Sequence, residues 1–251
     1  MTSTRRNLVV VNAGDTSLHP RWLNEASSRN FDMFVSYFGN VPDKFRAGAD
    51  YYENLAGLKW PTLARLCSQR QELFSMYDAF WFPDEDILAD TRTICRMFDL
   101  FHASNLWLAQ PALGAGSFAT YKELLQIRHA RLRFTDFVEV MCPLFNRQAL
   151  AVLNFTFSLS VSGWGLDLLW PHLLNYPEDR IGILDETPVI HTRRVGSGPL
   201  YLHLAEIGIN PQLEVCRLIR RYHIPRGPGQ SANIQVYKTF RSAGGGAELS
   251  H

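Results

Sequence analysis

Three consecutive carboxylates, Asp84, Glu85 and Asp86, follow directly on the aromatic run Tyr77-Asp78-Ala79-Phe80-Trp81-Phe82 and a proline. Acidic side chains repel when crowded, so three in a row at the end of a buried strand need a partner. A hard divalent cation, Mg²⁺ or Mn²⁺, meets that need, because oxygen ligands on a rigid strand end hold it and leave positions for a phosphate substrate. The plain alternative is an acidic turn that favours the N-terminus of the next helix. Downstream, glycines flank a tryptophan in Gly163-Trp164-Gly165-Leu166-Asp167. They permit a tight loop that presents the ring, and Asp167 opens the helix that follows. His191, after Val189-Ile190, reads by itself as an ordinary core or surface imidazole, although a neutral imidazole is also a competent Mn²⁺ ligand.

These residues need strands and helices to position them. Leu8 to Ala13 is a continuous apolar, β-branched run that ends in Gly14-Asp15, as a buried first strand does. Phe31 to Phe38 reads as a second strand. Leu63, Leu66, Leu73 and Phe74 recur at helical spacing between about Pro61 and Met76, so a helix feeds the strand Tyr77 to Phe82. Asp90 can cap a helix that reaches Ala103. Leu106 to Ala109 and Phe137 to Met141 are strand-like, the first stopped by Gln110-Pro111. Gln148 to Leu153, Gly165 to Leu174 and Gln212 to Tyr222 read as helices, and Ile181 to Leu184 as a strand. Strands and helices alternating through short links imply a layered α/β sheet, in which ligands sit beyond the carboxyl ends of the strands. Asp84 and Asp86 lie at such an end.

The whole composition narrows the function classes. The chain has 251 residues, 46% hydrophobic content and a net charge of +1. That is enough to bury one full core. Its basic residues are dispersed, without the stripe of a nucleic-acid binder, so nucleic acid is not an expected partner. Four widely spaced cysteines, Cys67, Cys95, Cys142 and Cys216, read as thiols in a reducing compartment. The apolar segment Leu8 to Val11 is too short for a signal sequence or a membrane span. A cytoplasmic location is the default expectation, compatible with peripheral membrane association. From about Pro225 onward Gly and Pro dominate, so residues 1–224 are expected to form one domain and 225–251 a flexible tail. Within that tail, Ile234 to Phe240 is a candidate ordered element.

The strand ending in Asp84-Glu85-Asp86 resembles the Asp-x-Asp metal motif of nucleotide-sugar-dependent glycosyltransferases with the GT-A fold. More closely, the chain resembles a family of unknown-function proteins labelled "lysine-ketoglutarate reductase trans-splicing-like" in plants. The match rests on Leu18-His19-Pro20-Arg21-Trp22-Leu23, Trp81 to Asp86, Gln110-Pro111-Ala112-Leu113, Phe137 to Phe145, Ser162 to Asp167 and Val189-Ile190-His191. These segments cover about residues 8 to 195, and the label implies no activity. The GT-A resemblance implies a layered mixed sheet flanked by helices in a single domain. It further implies that Asp86, with Asp84 and His191, holds Mn²⁺ or Mg²⁺, and that Asp167 acts as general base on an acceptor hydroxyl. Trp164 and Gly165, with Glu139, would then form the acceptor site. Asn12, Asp15, Lys59, Glu85, Arg193 and Arg194 would surround the nucleotide donor. The usual acidic pair of this loop is incomplete here, because Leu166 precedes Asp167.

The implied activity is metal-dependent transfer of a sugar from a nucleoside-diphosphate donor to a carbohydrate acceptor. A catalytically inactive nucleotide-sugar or carbohydrate-binding protein of the same fold is the alternative. A metal-dependent hydrolase or phosphotransferase would use the same carboxylates together with a second metal site.

Overall fold

The computed structural model describes residues 5–196, 199–225 and 234–242. It begins with β1 (Asn7–Ala13), β2 (Phe31–Tyr37), β3 (Tyr51–Asn54), α1 (Lys59–Gln69) and α2 (Gln71–Ser75). There follow β4 (Ala79–Trp81), β5 (Ile87–Leu88), α3 (Thr91–Ala103), β6 (Leu108–Leu113) and β7 (Ala130–Thr135). The remainder is β8 (Leu144–Asn146), α4 (Arg147–Leu153), α5 (Leu166–Leu173), β9 (Ile181–His191), α6 (Pro199–Glu206), α7 (Pro211–Tyr222) and β10 (Val236–Arg241).

The main sheet runs β10-β7-β9-β6-β8-β4-β1-β2-β3, and β5 pairs with β9 off this path. β3, β2, β1 and β4 are mutually parallel, as are β6 and β9. β8 runs antiparallel between β4 and β6. Both faces of the sheet are covered, which is why β1 is apolar at every second position on either side. Val9 and Val11 join the core containing Phe98 and Phe101 of α3. Leu8 and Val10 join the opposite core, built from Trp60 and Leu63 of α1, Leu150 of α4 and Trp170 of α5. This is the layered mixed α/β sheet flanked by helices expected of a GT-A-like chain. No helix among the described residues is long and apolar enough to cross a membrane.

Several elements differ from the sequence-based expectation. Phe137 to Met141 is a loop, because its backbone serves side chains instead of a ladder. Glu139 N donates to Gln110 Oε1 at 2.6 Å, and the carbonyls of Val140 and Met141 accept from Lys59 Nζ at 2.9 and 3.0 Å. Pro111 lies inside β6 and does not end it, since β8 pairs only with Leu108 and Ala109 and leaves that edge without a ladder to break. The helix expected over Pro61 to Met76 starts at Lys59 and is interrupted at Arg70, whose φ of −119° and ψ of 37° are non-helical. β9 continues through Asp185 to His191 as a single strand. β3, β5, β7 and β8 are additional strands.

The expected tail also needs correction. Val236–Arg241 adds to the sheet edge antiparallel to β7, so the domain extends past residue 224. Residues 226–233 and 243–251 lie outside the described residues.

A buried ion pair joins β7 to β9. Arg133 Nε and Nη2 donate to Asp185 Oδ2 and Oδ1 at 2.8 and 3.0 Å, and Nη1 donates to the Glu123 carbonyl at 2.6 Å. Asp185, fully buried, therefore belongs to the core. Removing one member of such a pair strands the other charge, at about 3–5 kcal/mol. Arg133→Ala should lower unfolding stability by that amount in urea titration, whereas Arg96→Ala, which removes a half-exposed partner of Glu186, should cost under about 1 kcal/mol.

Candidate active site

The carboxyl ends of β1 and β4 converge on the acidic triplet. After β4 the chain stays extended against 141–143, with Asp84 N bonded to the Met141 carbonyl at 2.8 Å. It then turns at Asp84–Ile87 and enters β5, whose antiparallel register sets Ile87 opposite His191. That register brings a histidine more than a hundred residues away beside Asp86. Thr192 reinforces it, its N–H and Oγ1 both donating to the Asp86 carbonyl. Asp84, Asp86 and His191 each offer one ligand atom, all within 4.8 Å of one another.

The donor set suits a divalent ion. His191 Nε2 lies 3.4 Å from Asp86 Oδ2, while Nδ1 bonds the Phe118 carbonyl at 2.8 Å. In the neutral ring Nδ1 therefore carries the hydrogen, and Nε2 presents its lone pair toward the carboxylates. A backbone carbonyl orienting an imidazole in this way is the usual outer shell of a metal-ligating histidine. Desolvation pulls the His191 pKa down, but hydrogen bonds to Asp86 and the Phe118 carbonyl, with the charges of Asp86 and Asp84, outweigh it and raise the pKa. Desolvation pushes the Asp84 carboxyl upward and Asp86 adds to this, against the pull of Lys59. A cation bound between Asp84 and Asp86 would relieve the repulsion by which Asp86 raises the pKa of Asp84.

The other expected site residues divide into several groups. Lys59 is a positioning residue: its Nζ donates to Asp84 Oδ1 at 2.6 Å and to two carbonyls of the 137–141 loop. Glu85 has both oxygens engaged, Oε2 by Gly14 N at 2.5 Å and Oε1 by Arg193 Nη1 at 2.9 Å. Arg193 also bonds Thr16 Oγ1 at 2.9 Å and lies 3.9 Å from Asp86, so it closes the rim between β1 and β9. Arg194 lies over the Phe118 ring. The Asp15 carboxylate is taken up by the Tyr37 hydroxyl and Asn40 N, contacts that hold its pKa low and tie it to the end of β2. Asn12 donates to the Gly57 carbonyl, but its Oδ1 is buried without a partner. An orphaned acceptor at a parallel strand's carboxyl end is the kind of group a ligand satisfies.

The Gly163–Asp167 loop is built as the sequence suggests, with one correction. Gly163 and Gly165 adopt φ of 85° and 88°. A Cβ at Gly163 would collide with the Trp60 ring, whereas one at Gly165 would meet Leu218 and Val215 of α7. Gly165 therefore packs on a helix and does not face an acceptor. Trp164 stands half-buried, edge-on to Tyr201 at 6.3 Å. Asp167 lies in the first turn of α5, its Oδ1 accepting from Leu168 N.

Glu214 is a residue the sequence reading did not single out, whereas Glu139 was expected at the acceptor site. Glu214 of α7, 7% exposed, accepts from Val161 N, Ser162 N, Ser160 Oγ and Ser162 Oγ, so a buried carboxylate clamps the loop that carries Trp164. Its only signal in the sequence is its place on the apolar face with Val215 and Leu218. Glu139 is buried, and its Oε2 has no hydrogen-bond partner. Desolvation, then the charge of Asp167, pushes its pKa up to about 7.

No family model and no curated protein matches this sequence. Among solved structures, S. aureus TarS is similar with a TM-score of 0.48 and 11% identity, over 83% of this chain and 39% of that one. A structure of S. aureus TarS 1-349 gives a TM-score of 0.46 and 11% identity, over 73% of this chain and 59% of that one. The chain thus spans less than two thirds of the length of either.

The raised Glu139 pKa carries a stability signature. Below its ordinary 4.5 the group is protonated in both states and has no effect. Between there and about 7 the folded protein keeps a proton that the unfolded chain releases, so stability falls as pH rises, by about 3 kcal/mol in total. In urea titrations without metal, Glu139→Gln should remove this loss and be more stable than the parent at pH 8 while matching it at pH 4.

Proposed function

We propose that this chain is a metal-dependent glycosyltransferase of GT-A type, which moves a sugar from a nucleoside diphosphate to a hydroxyl-bearing carbohydrate acceptor. The observation that carries the reading is the convergence of Asp84, Asp86 and His191 at the carboxyl ends of β1 and β4, with His191 oriented through Nδ1. Asp86 and His191, with Asp84 held by Lys59, are suited to Mn²⁺ or Mg²⁺. When bound, such an ion supplies Lewis-acid neutralisation for a departing diphosphate.

The chain's own residues account for the remaining roles. Asn12, with its unpaired Oδ1, takes a donor N–H of the nucleotide. Arg193 and Arg194, at the rim beside His191, face phosphate oxygens. Trp164 offers a ring face to a sugar, and Asp167 accepts the proton of the acceptor hydroxyl. That oxygen bonds to the anomeric carbon as the bond from this carbon to the diphosphate oxygen breaks, the electron pair leaving with the nucleoside diphosphate.

Two experiments test this. Calorimetric titration of a nucleoside diphosphate and its sugars, with and without Mn²⁺, should show Mn²⁺-dependent binding in the parent and none in Asp84→Ala/Asp86→Ala. Unchanged binding in the double variant would sink the reading. Asp167→Asn should retain that binding but lose about 10²–10⁴-fold in acceptor-dependent release of nucleoside diphosphate. Binding without release in the parent would favour a catalytically inactive member of the same fold.

A further inference from the structure

The last two helices turn large apolar side chains to the outside. On α6 Leu200 and Leu202 are exposed, and Leu202, at 68%, is the most exposed large apolar side chain among the described residues. Ile207 and Leu213, the latter 52% exposed, flank the turn into α7. That turn is held by its own backbone: Ile207 N and Ile209 N bond the carbonyls of His203 and Leu204, and Asn210 Oδ1 caps α7 through Gln212 N and Leu213 N. Ordered backbone thus holds a cluster of apolar side chains in water, which marks an interaction surface.

The residues of α7 sort by face. Glu214, Val215 and Leu218 are buried, the carboxylate clamping the 160–162 segment while Val215 and Leu218 pack on Gly165. Leu213, Arg217 and Arg220 recur at helical spacing on the outer side, with Arg221 beside them, and all four are exposed. Arg221 lies over the Tyr222 ring, and none of the three arginines is ion-paired among the described residues. Of the two carboxylates on these helices, Glu214 is buried in the clamp and Glu206 lies 3.6 Å from His203. The outer side therefore joins uncovered leucines to uncompensated positive charge. Its complement is a surface both apolar and anionic. A second copy fits poorly, since a two-fold contact through this face would crowd the arginines of both copies on one interface.

We infer that the outer side of α6 and α7 docks on an anionic lipid surface, Leu202, Ile207 and Leu213 entering the headgroup region and Arg217, Arg220 and Arg221 meeting lipid phosphates. The inner side of the same helices holds the tryptophan loop, through Glu214 and through the Tyr201 ring edge-on to Trp164 at 6.3 Å. A docked molecule presents that loop beside the bilayer. Docking requires neither metal nor nucleotide, so it is measured apart from any sugar transfer.

The test is co-sedimentation of the full chain with vesicles of phosphatidylcholine alone and of equal parts phosphatidylcholine and phosphatidylglycerol. The parent should bind the mixed vesicles, release them as salt is raised, and ignore phosphatidylcholine. Arg217→Gln/Arg220→Gln/Arg221→Gln should weaken partitioning about a hundredfold, at roughly fivefold per arginine. Leu202→Ser/Leu213→Ser should weaken it about tenfold or more. Both variants replace exposed side chains and should keep the parent's circular dichroism and melting temperature. Arg46→Gln/Arg92→Gln, which removes exposed arginines elsewhere, should stay within about twofold of the parent. Absence of binding by the parent, equal binding to both vesicle types, undiminished binding in either helix variant, or an equal loss in Arg46→Gln/Arg92→Gln overturns the inference. So does a parent that self-associates in gel filtration until Leu202→Ser/Leu213→Ser separates it, which would give the face to a second copy.

Discussion

Burying negative charge at the end of a strand sets the terms for everything around β4. A carboxylate taken out of water must find a cation or several N–H donors, and each member of the triplet finds a different one. Asp84 has Lys59, at the first turn of α1; Glu85 has Gly14 N and Arg193; Asp86 has His191 and the approach of Arg193. These partners come from the exit of β1, the start of α1 and the end of β9. Neutralising the triplet therefore also joins the two halves of the sheet at the edge where parallel strands point their carboxyl ends. The neutralisation is incomplete in one respect: Asp84 and Asp86 raise the pKa of His191, and Asp86 raises that of Asp84.

On the other side of Lys59 the same physics gives a different outcome. Glu139 is buried as deeply as Asp86 but has no cationic partner, and it responds by holding its proton to about pH 7. Lys59 cannot serve it, because all three of its hydrogen bonds go to Asp84 and to the carbonyls following Glu139. One lysine thus fixes the backbone on which Glu139 sits while its charge is spent on Asp84. The site thus holds two kinds of carboxylate, the pair Asp84 and Asp86 beside His191 and the buried Glu139, whose pKa burial pushes up to about 7.

Much of the frame was legible in the sequence because it rests on local periodicity. The apolar run at Leu8, the capping Asp90 before a helix to Ala103, and the last helix read over Gln212 to Tyr222 all correspond to real elements. Misreadings arose where side chains override the backbone ladder. Phe137 to Met141 has a strand's composition, but Gln110 and Lys59 capture its N–H and carbonyl groups. β7 escaped notice because Arg131 and Arg133 interrupt its apolar pattern, Arg133 being inside only because Asp185 waits there. Asp185 itself belongs to that core pair.

The candidate site divides along the same line. Residue types and order were enough to single out Asp84 and Asp86, because a strand's carboxyl end exposes whatever follows it and acidic residues there are costly without a cation; His191 entered only through the GT-A resemblance. They were enough, too, to foresee the left-handed glycines around Trp164. Only the tertiary structure decided which acids are engaged and which are not. Glu85 is tied to Gly14 and Asp15 to Tyr37, while Glu214 clamps the tryptophan loop and Glu139 keeps an unpaired oxygen. Those distinctions depend on desolvation and on partners tens of residues away. Both are properties of position in the folded molecule, and a side chain does not carry them in its name.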